Sequence, residues 1–349
     1  MAKYKIVTPA GASFTTEGGG YDYEMEALAG LDAEIVEVPA TEDGFIAGIA
    51  DADVIYGKGM SFSKKMIDSL NVAKCRGIVL GSVGVDSVDV AAATARNLPV
   101  TNCPDTFIEE VADHTMTLLL AGHRRVVEQD RMVRDGRWRE GRPALLKIPR
   151  LMGSTLGFVA FGHVARLVAT RAKPFGLRLM AYDPFIEELV MPPYGVEPST
   201  LEAVLRNSDF VSMHAPATPE AKGMLTEKHF RMMKPTAWFI NTGRGATVDE
   251  AALITALQQG WIAGAALDVL VQEPPRQDNQ LLQMKNVILS AHTASASARF
   301  DPARKRRVGQ ELALLLTGRW PMSCVNPTVL VKTDLRRWQP YSMERGPNS

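Results

Sequence analysis

Between Leu151 and Pro184 one stretch dictates what this chain can fold into. An apolar run, Thr155 to Ala160, meets a turn at Gly162. Val164, Leu167, Val168 and Ala172 then recur at helical spacing, and a second apolar run, Leu177 to Tyr182, ends at Asp183. Strand-length runs on either side of a helical period specify a βαβ unit, hence two parallel strands in one sheet joined by a right-handed crossover. Asp183 lies 21 residues beyond Gly162. That layout suits a dinucleotide, whose pyrophosphate rests on backbone N–H groups at a helix N-terminus while an acid takes the ribose hydroxyls. The glycine fingerprint itself is degenerate. Aligned on the turn, G-x-G-x-x-G reads Ala160-Phe161-Gly162-His163-Val164-Ala165, so only the middle glycine, where backbone approaches phosphate most closely, is kept.

The same alternation runs through the rest of the chain. Lys5–Thr8, Ala33–Val38, Ala52–Tyr56, Gly77–Leu80 and Leu98–Thr101 are predicted strands, separated by helical segments near Tyr23–Ala29, Ser63–Leu70 and Val88–Arg96. Gly18 to Gly20 reads as a turn, because no lysine or helix cap follows to make a phosphate loop. From Ile108 to about Asp135 the apolar period predicts one long helix, followed by an extended connection through the proline pairs between Arg142 and Arg150. Predicted strands then end at His214-Ala215-Pro216, Asn241 to Gly245, Asp268 and His292, and a last amphipathic helix covers Asp301–Leu316. In an open parallel sheet, ligands bind outside the strands' C-terminal ends, so these polar clusters are expected to line a cleft. The expected fold is α/β, with two Rossmann-like or flavodoxin-like domains, parallel sheets and long hinge helices. Residues 1–102 with 298–330 form one domain, 103–297 the other, and 331–349 a poorly ordered tail.

Composition narrows the function classes. Lys plus Arg equals Asp plus Glu, at 39 each, so no global field draws nucleic acid or an anionic membrane. The basic runs Arg304–Arg307 and Arg131, Arg134, Arg137, Arg139 and Arg142 read as solvated helix faces. Cys75, Cys103 and Cys324 show no C-x-x-C spacing, so neither a disulfide framework nor a metal site is indicated, and a reducing, cytoplasmic location is expected. No apolar run approaches membrane-spanning length.

Three groups stand out as chemistry: Arg244 in a Gly-flanked turn, Glu273 before two prolines, and His292 in Ser290-Ala291-His292-Thr293-Ala294. Each alone has a structural reading, as a carbonyl-binding arginine, a loop acid or a satisfied histidine. Their order, with the blocks Val83-Gly84-Val85-Asp86-Ser87-Val88-Asp89, Val111-Ala112-Asp113-His114, Ala181-Tyr182-Asp183-Pro184, Met233-Lys234-Pro235, Ala266-Leu267-Asp268-Val269 and Val325-Asn326-Pro327, resembles the D-isomer-specific 2-hydroxyacid dehydrogenases, most of all the phosphoglycerate dehydrogenase branch.

The resemblance implies NAD as cofactor, a small 2-hydroxy or 2-keto acid as substrate, and a homodimer built on the long helix. By position, His292 would be the acid/base group, Glu273 would hold its imidazole, and Arg244 would grip the substrate carboxylate and polarise the 2-keto oxygen. Backbone N–H groups of Val83 and Gly84 would complete the carboxylate site. Asp268 would accept from the nicotinamide carboxamide. Gly162, His163 and Val164 would meet the pyrophosphate, Asp183 and Pro184 the ribose, and His214, Ala215, Pro216, Thr242 and Gly243 would line the cofactor. Lys58 would offer a second cation for a distal anionic group, with a solvated loop lysine as the competing reading.

Departures from the family pattern are Ala160 and Ala165 for glycines, Ser82 for glycine beside the substrate, Asp113 for glutamate and Ala291 for proline. The small-for-small exchanges are expected to be tolerated, and Ser82 to alter what fits. A dinucleotide-sensing scaffold of the corepressor type shares these residues and is the competing function. Hydride transfer from formate is disfavoured, since an acid stands at Glu273 where similar formate enzymes carry glutamine.

Overall fold

The computed structural model describes residues 3–11 and 20–337, and the chain divides into two compact units, one formed by residues up to Thr106 together with those from Ala298, the other by Phe107–Ser297. The first unit carries β1 (Tyr4–Pro9), α1 (Asp22–Leu28), β2 (Ala33–Val38), α2 (Glu42–Gly48), β3 (Val54–Gly57), α3 (Lys64–Ser69), β4 (Ile78–Leu80), α4 (Val90–Ala95) and β5 (Val100–Thr101). Its parallel sheet has the order β2-β1-β3-β4-β5, the flavodoxin-like winding. Alternate residues point to opposite faces: Val7, Ile55 and Ile78 join one core, Ile6, Val54, Tyr56 and Val79 the other. Thr41, Ser63 and Asp89 accept from the backbone N–H of the third residue of α2, α3 and α4, which fixes where those helices begin. Helix α2, with glycine at two of its seven positions, has too weak an apolar period to be read from the sequence.

The second unit opens with α5 (Ile108–His123), α6 (Val126–Arg134) and α7 (Trp138–Leu145). The single helix expected over 108–135 is therefore broken. Arg125 takes φ +50°, and the N–H groups of Arg124 and Arg125 turn back to Leu120 and Gly122, ending α5. The expected extended connection is also partly helical, since α7 continues through Arg142 and Pro143 to Leu145. There follow β6 (Thr155–Val159), α8 (His163–Ala172), β7 (Arg178–Tyr182), β8 (Val196–Pro198), α9 (Leu201–Asn207), β9 (Phe210–Met213), α10 (Glu227–Phe230), β10 (Trp238–Asn241), α11 (Glu250–Gln258), β11 (Gly264–Leu267) and β12 (Val287–Leu289). All seven strands are parallel, in the order β12-β11-β10-β9-β6-β7-β8. The direction of winding reverses between β6 and β9, the switch point where such sheets take their ligands.

The chain returns to the first unit with α12 (Phe300–Leu316). Here the basic run is not a solvated face: Arg304, Lys305 and Arg307 are buried. Their counter-charges make this possible, because a buried ion is tolerated only when paired and hydrogen-bonded. Arg304 donates to Asp301, Lys305 donates to the Gly20 carbonyl, and Arg307 pairs with Glu311 one turn on and with Asp105 at 3.3 Å. The five arginines between Arg131 and Arg142 are exposed. The tail also departs from expectation over its first residues. Leu335 is buried, its carbonyl accepts from Trp320 Nε1 at 2.9 Å, and Arg336 bridges to Arg319, because an apolar side chain finds a place beside α12. Residues from 338 onward, and Gly18 and Gly19 of the glycine turn, lie outside the described residues.

Candidate active site

The turn after β6 is built on two hydrogen bonds. Ala160 N–H donates to the Tyr182 carbonyl at 2.8 Å, and Phe161 N–H to Asp183 Oδ2 at 2.8 Å. Ala160 is thereby held at φ +70°, a left-handed conformation that costs a residue with a Cβ about 1 kcal/mol. The exchange of glycine for alanine here is a strained one, contrary to the tolerance expected of it. Ala165, fully buried on α8, carries no such strain. Gly162 then begins α8 with no side-chain cap, and a Cβ placed on it would meet nothing within 4 Å. A helix N-terminus left uncapped beside open space is what a pyrophosphate requires, so Gly162, His163 and Val164 fit their expected role. Asp183 has a second duty that the sequence reading lacked. Its Oδ1 accepts from Phe185 N–H at 2.9 Å, so the carboxylate closes the turns after both β6 and β7. Each oxygen keeps a lone pair for a ribose hydroxyl. Pro184 and the exposed Phe185 follow it.

His214, Ala215 and Pro216 leave the end of β9. Ser212 Oγ lies 2.8 Å from His214 Nε2, and desolvation pushes this imidazole down to about 4, so it is neutral at physiological pH. The next loop packs directly on it: a Cβ on Gly243 would stand 3.3 Å from the Met213 and Ala215 carbonyls. Thr242 Oγ1 is 2.8 Å from Thr115 Oγ1 of α5. The buried Asn241 side chain accepts from Gly243 N–H and donates to the Arg244 carbonyl, and Arg244 Nη1 donates to the Gly243 carbonyl at 2.8 Å. Gly245 is compulsory, since a Cβ there would lie 2.0 Å from the Leu270 carbonyl carbon. The turn carrying Arg244 is thus in backbone contact with the loop carrying Glu273.

Glu273 binds at both ends. Oε1 accepts from Leu270 N–H at 2.9 Å, and Oε2 lies 2.6 Å from His292 Nδ1. This fixes the imidazole through Nδ1 and leaves Nε2 for a reacting group. His292 itself takes φ +52°. The loop that holds it is clamped by Asp268, at the end of β11 and almost fully buried. The Asp268 carbonyl accepts from His292 N–H, Oδ1 accepts from Ser290 Oγ and Thr293 N–H, and Oδ2 from Ala294 N–H. Sequence reading gave Asp268 a cofactor role and missed this one. It also missed His114 of α5, whose Nε2 is 2.8 Å from Ser290 Oγ, although His114 and Ser290 both lie in blocks that carry the family resemblance.

In the first unit, β3 and β4 are neighbours with Gly57 opposite Leu80, so Lys58 and the 81–84 loop leave the same edge of the sheet. Asn102 Nδ2 donates to the Val83 carbonyl at 2.6 Å, and Val83 is exposed. The Ser82 hydroxyl donates to the Gly84 carbonyl at 2.6 Å, so it tightens its own loop instead of facing a ligand. Lys58 is not a solvated lysine. Its Nζ donates to Tyr21 Oη at 2.7 Å, pairs with Glu37 at 3.5 Å and lies 4.6 Å over the Tyr21 ring, with the side chain 13% exposed. Desolvation draws its ammonium below the ordinary lysine range against the opposing pull of Glu37.

Two parallel α/β units, one with an uncapped helix N-terminus at its switch point and an imidazole–carboxylate pair on the neighbouring loops, define a dinucleotide-dependent dehydrogenase. Comparison with known proteins agrees. Residues 116–294 match the family model "D-isomer specific 2-hydroxyacid dehydrogenase, NAD binding domain". A glyoxylate reductase of Korarchaeum cryptofilum is 40% identical over 304 residues, 86% of this chain and 90% of the relative. A D-3-phosphoglycerate dehydrogenase of Methanocaldococcus jannaschii is 33% identical over 92% of this chain, which spans 59% of that protein. Among solved structures, an NADPH-dependent glyoxylate/hydroxypyruvate reductase of Sinorhizobium meliloti, in complex with NADP and malonate, superposes with a TM-score of 0.79 at 30% identity, over 94% of this chain and 98% of the other. The chain belongs to the D-isomer specific 2-hydroxyacid dehydrogenases and is an NAD-dependent oxidoreductase that interconverts a 2-hydroxy acid and its 2-keto acid.

The strain at Ala160 can be measured. Ala160→Gly is expected to leave cofactor binding intact and to raise stability by no more than about 1 kcal/mol, the left-handed cost offset by the freedom glycine gains in the unfolded chain. Urea unfolding monitored by tryptophan fluorescence reads the difference, and a destabilised glycine variant would contradict it.

Proposed function

We propose that the chain reduces a small, singly charged 2-keto acid such as glyoxylate or hydroxypyruvate to its 2-hydroxy acid, the D-isomer where the product is chiral, with His292 as acid/base. The observation that carries this reading is the 2.6 Å contact between His292 Nδ1 and Glu273 on a loop clamped by Asp268, joined through Gly245 to the turn of Arg244. The cofactor, when bound, would supply hydride to the carbonyl carbon as NADH in reduction and take it up as NAD+ in oxidation. The residues that would hold it are Gly162, His163, Val164, Asp183, Pro184, His214, Ala215, Pro216, Thr242, Gly243 and Asp268. Asp183, followed by the neutral Phe185, favours a ribose with a free hydroxyl over one bearing a phosphate. His292 Nε2 donates its proton to the carbonyl oxygen as charge develops there, and Glu273 keeps the ring oriented and compensates its charge. Arg244 grips the carboxylate and polarises the keto oxygen, and the backbone N–H groups of Val83 and Gly84 are the further carboxylate donors that the family resemblance implies. The Korarchaeum and Sinorhizobium relatives, named for glyoxylate, support the substrate class.

Lys58 sharpens that class. Its charge is already balanced by Glu37, and two of its three N–H donors are directed at Tyr21 and Glu37, so a second anionic group on the substrate gains little from it. The wild-type enzyme is therefore expected to show a higher kcat/KM for glyoxylate than for a phosphorylated 2-keto acid, and Glu37→Gln, which releases the charge of Lys58, to narrow that gap. A preference for the doubly anionic substrate, or a gap indifferent to Glu37→Gln, would overturn this assignment.

The roles in the triad are tested by His292→Ala, which should lower kcat by about 10²–10⁴ while NADH still binds, and by Glu273→Gln, which should lower it less. Unchanged turnover in His292→Ala would remove the acid/base assignment.

The expected homodimer is supported by an unpartnered apolar set on and after α6 and α7: Val126, Val133, Trp138, Leu146 and Met152 are all exposed. Sedimentation of the wild type should give a dimer and of Trp138→Glu a larger monomer fraction, and a monomeric wild type would refute it. Three free cysteines suit a reducing cytoplasm.

A further inference from the structure

The contacts around Asp268 reach beyond the residues assigned so far. Ser290 Oγ donates to Asp268 Oδ1 at 2.6 Å, so its only hydrogen is spent there. The 2.8 Å contact with His114 Nε2 must then be a donation from the imidazole to the serine oxygen, which fixes His114 with its proton on Nε2. His114 Nε2 is also 3.5 Å from Asp268 Oδ1. A chain of polar groups therefore runs from α5, through Ser290, to the carboxylate that binds Thr293 N–H at 2.9 Å and Ala294 N–H at 3.0 Å, the two residues after His292. The Asp268 main chain holds the other side of the same loop, accepting from His292 N–H at 2.8 Å, and the Leu267 carbonyl accepts from Ser290 N–H at 3.0 Å.

These bonds bear on a conformation that would not persist by itself. His292 stands at φ +52°, and a non-glycine residue stays in that region only where its surroundings over-determine it. The Asp268 carboxylate is one of those surroundings, and Ser290 and His114 in turn decide which way that carboxylate faces. We propose that His114 and Ser290 are positioning residues: acting through Asp268, they hold residues 290–294 in the left-handed turn that aligns His292 with Glu273. Neither touches the reacting atoms. The proposal rests on the acid/base reading of His292 for its effect on turnover, but not for its effect on the loop.

The test uses Ser290→Ala, His114→Ala, the double variant and Ser290→Thr in the full-length enzyme. Placement errors of about an ångström at a reacting group cost up to roughly 100-fold. Each alanine variant should thus lower kcat by about 10-fold or more with KM for glyoxylate nearly unchanged. The double variant should be no worse than the poorer single one, because the groups act as one chain. Ser290→Thr, which keeps the hydroxyl, should restore most of the rate. Hydrogen exchange should show faster exchange of the amides of His292, Thr293 and Ala294 in the alanine variants, while the strands of both sheets keep their protection. Wild-type kcat in Ser290→Ala, additive losses in the double variant, or unchanged exchange across 292–294 would each overturn the proposal. If His292→Ala itself proved active, the acid/base reading would fail while the exchange measurement still judged the clamp.

Discussion

A carboxylate buried at the end of a strand, accepting three hydrogen bonds from one short loop, is the interaction on which the candidate site depends. Bonds to a charged acceptor contribute about 1.5–3 kcal/mol each, and a buried carboxylate left without them is costly. Asp268 is therefore secure only while Ser290, Thr293 and Ala294 are in place, and that loop is secure only while Asp268 is. The dependence continues outward. His292 is turned toward Glu273, Glu273 is tied to Leu270, and Leu270 lies against Gly245 beside Arg244. Side chains from three strand ends are placed by backbone contacts and a single ion, which is why the chemistry can rest on loops without being loose.

The first unit solves a different electrostatic problem. Packing α12 against the sheet brings Arg304, Lys305 and Arg307 inside, so the unit must supply acids there as well. Asp301 and Glu311 come from the same helix, three and four residues away, and Tyr56 links Arg304 to the buried Glu24. Burial raises the Glu24 carboxyl, with Lys305 and Arg304 drawing it back. Such a network contributes little net stability compared with an apolar core of the same shape, but it fixes register, since a displaced α12 would strand several charges at once.

Much of this was legible in the sequence, and the reasons differ by element. Strands such as β4 and β11 announce themselves because a buried parallel strand is an unbroken apolar run, here Ile78–Leu80 and Gly264–Leu267. The pairing of His292 with Glu273 was reachable from family resemblance. The break after α5 was not, because it depends on an arginine at positive φ, and no side-chain pattern marks that. The burial of Arg304 was hidden for a related reason: a helical period of charges looks the same whether solvent or Asp301 answers it. His114 and Ser290 lie 176 residues apart, and only the fold tells their two unremarkable side chains that they are neighbours.

The double attachment of Asp183 has a consequence for how this enzyme can change. A lineage, or an engineer, seeking a phosphorylated dinucleotide would ordinarily begin by discarding the acid that faces the extra phosphate. In the site proposed above that acid is Asp183, which also fastens Phe161 and Phe185, so its loss would loosen the turn after β6 in the same step that it removes the repulsion. The accessible route starts two residues later, at the exposed Phe185, where a basic side chain can be introduced without undoing a fold contact. Cofactor choice in this chain is thus guarded by its architecture as well as by charge, and the order in which substitutions arrive decides whether the intermediate still folds its cofactor site.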